Sequence, residues 1–107
     1  MTPQEAKKLS IEVWTYLAEH PEIWNKDKLP VKLYKQIENM RGQCPLCELY
    51  SYRVYKRRYK YSCRKQCPLY CCNRKQHAWN IWNNTMDASI VSKAALEIVD
   101  KLKAWEI

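Results

Sequence analysis

Six cysteines crowded into the middle of a 107-residue chain constrain this sequence more than any other feature. They read Cys44-Pro-Leu-Cys47, followed by Cys63, Cys67, Cys71 and Cys72. A chain of this length makes a single domain with one modest core, so whatever ties these residues together shapes the whole molecule. No stretch approaches the roughly 20 apolar residues of a membrane span. The N-terminal Met-Thr-Pro-Gln-Glu-Ala-Lys-Lys has no apolar run behind its lysines, unlike a secretory signal. The expectation is a cytoplasmic protein with no membrane partner. In a reducing compartment, clustered cysteines are metal ligands more often than disulfides.

Zinc takes four soft or borderline ligands in a tetrahedron, with Zn–S near ~2.3 Å. Two cysteines separated by two residues reach one ion from a single tight turn, and Cys44 and Cys47 form that half-site. The other pair must come from later in the chain, and fifteen residues separate Cys47 from Cys63. The candidate ligands are Cys44, Cys47, Cys63, Cys67, Cys71 and Cys72, and which four bind is left open. Cys63, Cys67 and Cys71 share an i, i+4 spacing, although Pro68 opposes a regular helix there. His77 is an alternative ligand or a plain surface residue. A closed four-sulfur site leaves no coordination position for water, so the expectation is one structural Zn2+ ion. No metalloprotease helix motif, P-loop, nucleophile elbow or paired-carboxylate pattern occurs, and no enzyme is expected.

The net charge is +8, unevenly spread. Between Leu49 and Met86 there are nine basic residues and no Asp or Glu, while the rest of the chain nets −1. Four thiolates on one zinc would subtract about two charges, leaving this segment strongly positive. Nucleic acid or an acidic protein surface is the natural partner; the competing reading is a solvated basic face. Arg53, Lys56, Arg57, Arg58, Lys60, Arg64 and Lys65 interleave with Tyr55 and Tyr59, among other tyrosines. Aromatic rings stack on unpaired bases while basic heads hold phosphates. Cross-strand tyrosine pairing within a hairpin would account for the same rings.

The flanks read as helical. Thr2, Pro3 and Glu5 make a capping box with Pro at the first helical position, and Ala6, Leu9, Val13 and Leu17 recur at helical spacing. His20-Pro21 ends that helix, and Ile23 and Trp24 are expected to pack back on it. Pro30 opens a second helix carrying Leu33, Ile37 and Met40, and Gly42 suits a left-handed C-terminal cap. Glu48 to Ser62 alternates like a β-hairpin turning at Lys56-Arg57-Arg58. Trp79 and Trp82 lie one turn apart in a short helix. Asp87 caps a last helix with Ile90, Ala94, Ile98, Leu102 and Trp105 on one face. That helix is expected to pack on the first, with a dimer or partner interface as the rival.

Three of these segments together resemble small, mostly uncharacterised bacteriophage and prophage proteins. They are Trp14-Thr-Tyr-Leu17-Ala18-Glu19-His20-Pro21, Cys44-Pro-Leu-Cys47-Glu48 and Cys63-Arg-Lys-Gln-Cys67-Pro68-Leu69. The family pairs W-x-x-L-A-E-x-P with C-x-x-C-E and a later C-x-x-C-P; here three residues, not two, separate Cys63 from Cys67. The resemblance implies a phage context and a structural zinc, and it brings no established biochemical role.

The combined expectation is an α+β, mainly helical domain over 1–107. N- and C-terminal helical parts (1–42 and 76–107) surround a central zinc-clamped β-hairpin (43–75), treble-clef or zinc-ribbon-like. Its function would be zinc-stabilised, non-enzymatic nucleic-acid binding through the basic segment. The alternative is an inhibitor or adaptor acting on a host protein such as a defence-system component. The sequence leaves the oligomeric state, monomer or homodimer, undecided.

Overall fold

Thr2 accepts a hydrogen bond from the Glu5 N–H at 3.1 Å, and the Glu5 carboxylate reaches back to the Thr2 N–H. With Pro3 next in line, this capping box starts α1, Pro3–Glu19. The computed structural model describes residues 1–40, 43–53, 61–63, 67–69 and 77–106, of which 51–53 and 61–63 by backbone alone. After α1 come a 3-10 turn at Lys26–Lys28, α2 (Val31–Ile37), α3 (Pro45–Tyr50), β1 (Ser51–Arg53), β2 (Tyr61–Cys63), α4 (Ala78–Asn84) and α5 (Ala88–Ala104).

The core is the seam between α1 and α5. From α1 it takes Ala6, Leu9, Val13, Trp14, Leu17 and Ala18; from α5, Val91, Ala94, Ala95, Ile98, Val99 and Leu102. Small residues on both sides let the helices approach closely. Two polar links fix their antiparallel sense. The Lys7 ammonium donates to the Trp105 carbonyl at 2.7 Å, satisfying the C-terminal end of α5. At the other end, the Ser92 hydroxyl donates to the Ala18 carbonyl at 2.7 Å, near the end of α1. Each supplies a donor to helix-terminal carbonyls that have no partner within their own helix. Asp87 caps α5, accepting from the Ser89 and Ile90 N–H groups at 3.0 and 3.2 Å.

The expectation of an α+β domain built around a central zinc-clamped β-hairpin of treble-clef or zinc-ribbon type is corrected: among the described residues the protein is mainly helical, and no sheet layer packs in its core. Helices make the core, and the extended backbone among the described residues is one antiparallel ladder of three residues a side, Ser51↔Cys63, Tyr52↔Ser62 and Arg53↔Tyr61. Glu48, Leu49 and Tyr50, read as the start of a strand, belong to α3. Their alternation coexists with an i, i+3, i+4 pattern. Leu46 is buried, Leu49 and Tyr50 pack on the core, and Tyr50 meets Trp105 edge-on at 5.9 Å. Short apolar runs satisfy both periods, and tertiary burial chose the helical one.

Smaller differences follow the same cause. Ile23 is buried, but Trp24 is 72 % exposed rather than packed on α1. The buried stripe of α5 is centred on Val91, Ala95, Ile98 and Leu102, which leaves Ile90 exposed. Gly42, the expected left-handed cap, lies outside the described residues. Among those described, the residue with positive φ is Gln43, at 51°. No helix among the described residues is long and apolar enough to cross a membrane.

Candidate metal centre

Cys44 stands at the entrance to α3. Its carbonyl accepts the first helical bond from the Glu48 N–H at 3.0 Å, and Pro45 follows where a missing N–H costs nothing. In this geometry the N–H groups of Leu46 and Cys47 point back at the Cys44 sulfur, and the Cys47 side chain hydrogen-bonds to it. Both sulfurs of the C-x2-C turn therefore converge.

The Cys44 thiol is lowered from 9.0 to about 6. The hydrogen bond from the Cys47 side chain is the largest cause, and burial opposes it. The positive charge of Lys26 and the two backbone N–H donors lower it further. Donors aimed at a sulfur favour its thiolate, and the thiolate is the form that binds metal.

Lys26 was not singled out by the sequence. It is only 8 % exposed, which is unusual for a lysine and requires compensation. Its ammonium donates to the Gln43 carbonyl at 3.0 Å and lies 5.4 Å from the centroid of the Trp14 ring. The charge on Cys44 is its third compensation. In the sequence Lys26 sits among Asn25, Asp27 and Lys28, and no local signal separates it from Lys28. Gln43 is held in its left-handed conformation by that contact and by its own Nε2, which donates to the Tyr34 hydroxyl at 3.0 Å. A non-glycine residue keeps such a conformation only where its surroundings fix it, and here it aims Cys44 at the entrance to α3.

The remaining predicted ligands are placed as follows. Cys67 is buried within the hydrophobic core beside Leu69. The backbone of Cys63 is in β2, opposite Ser51, which directly follows α3 and hence Cys47. Cys71 and Cys72 lie outside the described residues. Among the described residues no three His, Cys, Asp or Glu side chains form a group able to hold an ion. His77 acts as the N-cap of α4, its Nδ1 accepting from the Trp79 N–H at 3.1 Å. Its pKa is lowered, first by burial and then by Lys101, with Glu97 opposing.

Of the predicted nucleic-acid-binding residues, Arg53 is placed by its backbone in β1, paired with Tyr61. Tyr55, Lys56, Arg57, Arg58, Tyr59, Lys60, Arg64 and Lys65 lie outside the described residues. α3 and the ladder do fix where that segment leaves and rejoins the fold: it departs after Arg53 and returns at Tyr61, one short helix away from the Cys44–Cys47 turn. Comparison with protein-family models, with curated proteins and with solved structures finds no match to this chain.

Proposed function

We propose that the chain is a non-enzymatic, zinc-stabilised binding protein that meets nucleic acid through its basic, tyrosine-rich segment. The observation that carries this reading is the pair of converging sulfurs at Cys44 and Cys47, one of them thiolate-prone, at the root of a stretch with nine basic and no acidic residues. Their donor set suits zinc. Cys44 and Cys47 would supply half of the site, with the other ligands drawn from Cys63, Cys67, Cys71 and Cys72. The ion would supply structure, tying the entry and exit of the basic segment together. Thiol ligands of this kind belong to a reducing, cytoplasmic setting, and the family resemblance suggests that of a phage-infected bacterium.

In zinc-finger peptides such sites contribute roughly 10–16 kcal/mol, more than the net stability of a typical small domain. Purified, reduced protein should hold one zinc per chain, and a strong chelator should melt at least residues 43–75. Affinity for nucleic acid should fall with salt, by a slope of about −0.9 per phosphate neutralised on duplex DNA. Arg57→Glu with Arg58→Glu should weaken binding and flatten that slope without unfolding the domain. Binding that survives with an unaltered slope refutes the assignment.

A second reading, an inhibitor or adaptor for a host protein such as a defence-system component, is favoured by exposed apolar side chains at Met86, Ile90 and Leu96, on or next to α5. A partner retained after nuclease digestion would select it.

A further inference from the structure

A cleft of about 280 Å³ opens beside the Cys44–Cys47 turn, between the 24–26 segment, Gln43 and α4. We propose that it is a pocket for one unpaired nucleobase. This rests on the reading of the chain as a nucleic-acid-binding protein and gives that reading a second contact point, separate from the basic segment.

Four observations converge on a base. Trp24 lines the cleft while 72 % exposed. An indole left to water in this way offers a flat π face, on which bases of any sequence stack. Trp82 forms the buried wall, held edge-on against Trp14 with ring centroids 5.0 Å apart. Its Nε1–H is buried and has no acceptor among the described residues, although buried indole N–H groups ordinarily find one. Because that N–H is shielded from solvent, Trp82 meets a base in the cleft with its ring rather than with its N–H.

The remaining lining is polar and chemically matched. Asn25, Gln43 and Asn83 bring carboxamides, which carry donor and acceptor side by side as base edges do. The fourth observation is Lys26, which lines the cleft while its ammonium holds the Gln43 carbonyl and so fixes the cleft's polar wall. A neutral sugar would also bond to the amides, but it lacks the flat π face that a base lays on Trp24. The volume lies just below the usual range of ligand pockets, roughly 300–1,000 Å³, which suits one base and excludes a helix or duplex. Gln43 and Lys26, locked to one another, present the pocket already formed.

The test follows the tryptophan indole N–H resonances of the full-length protein while a short single-stranded oligonucleotide is added. The same oligonucleotide with abasic positions serves as the comparison. The Trp82 and Trp24 resonances should move with the intact strand and stay still with the abasic one. Trp24→Ala should weaken the intact strand about ten- to a hundredfold, and Trp24→Phe should restore most of that loss. Arg57→Glu with Arg58→Glu should weaken binding yet leave the indole shifts unchanged at saturation. If the strand binds but Trp24→Ala matches the parent and neither indole moves, the pocket is refuted while the nucleic-acid reading stands. If no strand binds, that reading falls, and adenosine monophosphate titrated alone decides the pocket: shifts at both indoles uphold it and silence overturns it. Shifts from a neutral oligosaccharide with nucleotides silent also overturn it.

Discussion

Replacing Cys47 and Lys26 in turn tests the electrostatic account of the Cys44 sulfur. With its pKa at about 6 rather than 9.0, the thiol of the reduced, metal-free protein is roughly nine-tenths thiolate at neutral pH instead of about one part in a hundred. The absolute alkylation rate is a poor gauge of this, because thiolates of low pKa are weaker nucleophiles. With a Brønsted coefficient of about 0.45, most of the ~90-fold gain in thiolate is cancelled, leaving a rate only about fourfold above that of an ordinary cysteine. The pH profile is the sharper observable. Iodoacetamide labelling, read residue by residue through peptide mass spectrometry, should give a Cys44 rate that is level above neutrality and halves at about pH 6. Cys47→Ala removes the largest contribution and should move that midpoint upward the most; Lys26→Met should move it upward by less. The lowered folded-state pKa also fixes the sign of the stability effect. The thiolate's contribution is fully present above the ordinary value of 9.0 and is lost as pH falls through about 6. A parent midpoint near the ordinary value, or one that neither substitution moves, refutes the reasoning.

Three further outcomes test the fold. Leu17→Ala at the fully buried α1–α5 seam should cost about 2–5 kcal/mol in denaturant unfolding, whereas Leu96→Ala, half exposed on α5, should stay within about 0.5 kcal/mol. Ser10→Ala should be neutral or stabilising by up to about 1 kcal/mol in the same assay, since the buried Ser10 hydroxyl has no partner among the described residues. His77 should make α4 acid-sensitive: its lowered pKa means the neutral ring contributes stability above its ordinary value of 6.5, lost as pH falls through the lowered one. Protonated Nδ1 cannot accept from the Trp79 N–H, so His77→Asn, a non-titrating cap, should remove that sensitivity in thermal unfolding followed against pH.

Legibility along the chain tracked the range of the interactions involved. Thr2-Pro-Gln-Glu5 and Asp87 announced two helix starts that the structure reproduces, because a cap is settled within four residues. The C-x2-C turn was equally local: Pro45 and two flanking sulfurs suffice to bring Cys44 and Cys47 together. Lys26 escaped notice because its significance comes from Trp14, Gln43 and Cys44, which reach it across 12 to 18 positions of chain. Trp24 was misplaced for a related reason: an aromatic residue beside a buried Ile23 reads as core until the packing shows which of the two fits.

By itself, then, the sequence determined the helical flanks, the caps, the cysteine half-site and the concentration of positive charge, each carried by neighbours in the chain. Tertiary structure decided that Glu48–Tyr50 is helix and not strand, that Val91 and not Ile90 faces the core, and that one lysine among nine outside the basic segment is buried against a thiol. Periodicity in a short run satisfies two geometries at once, and only the area available for burial on the α1–α5 seam chooses between them.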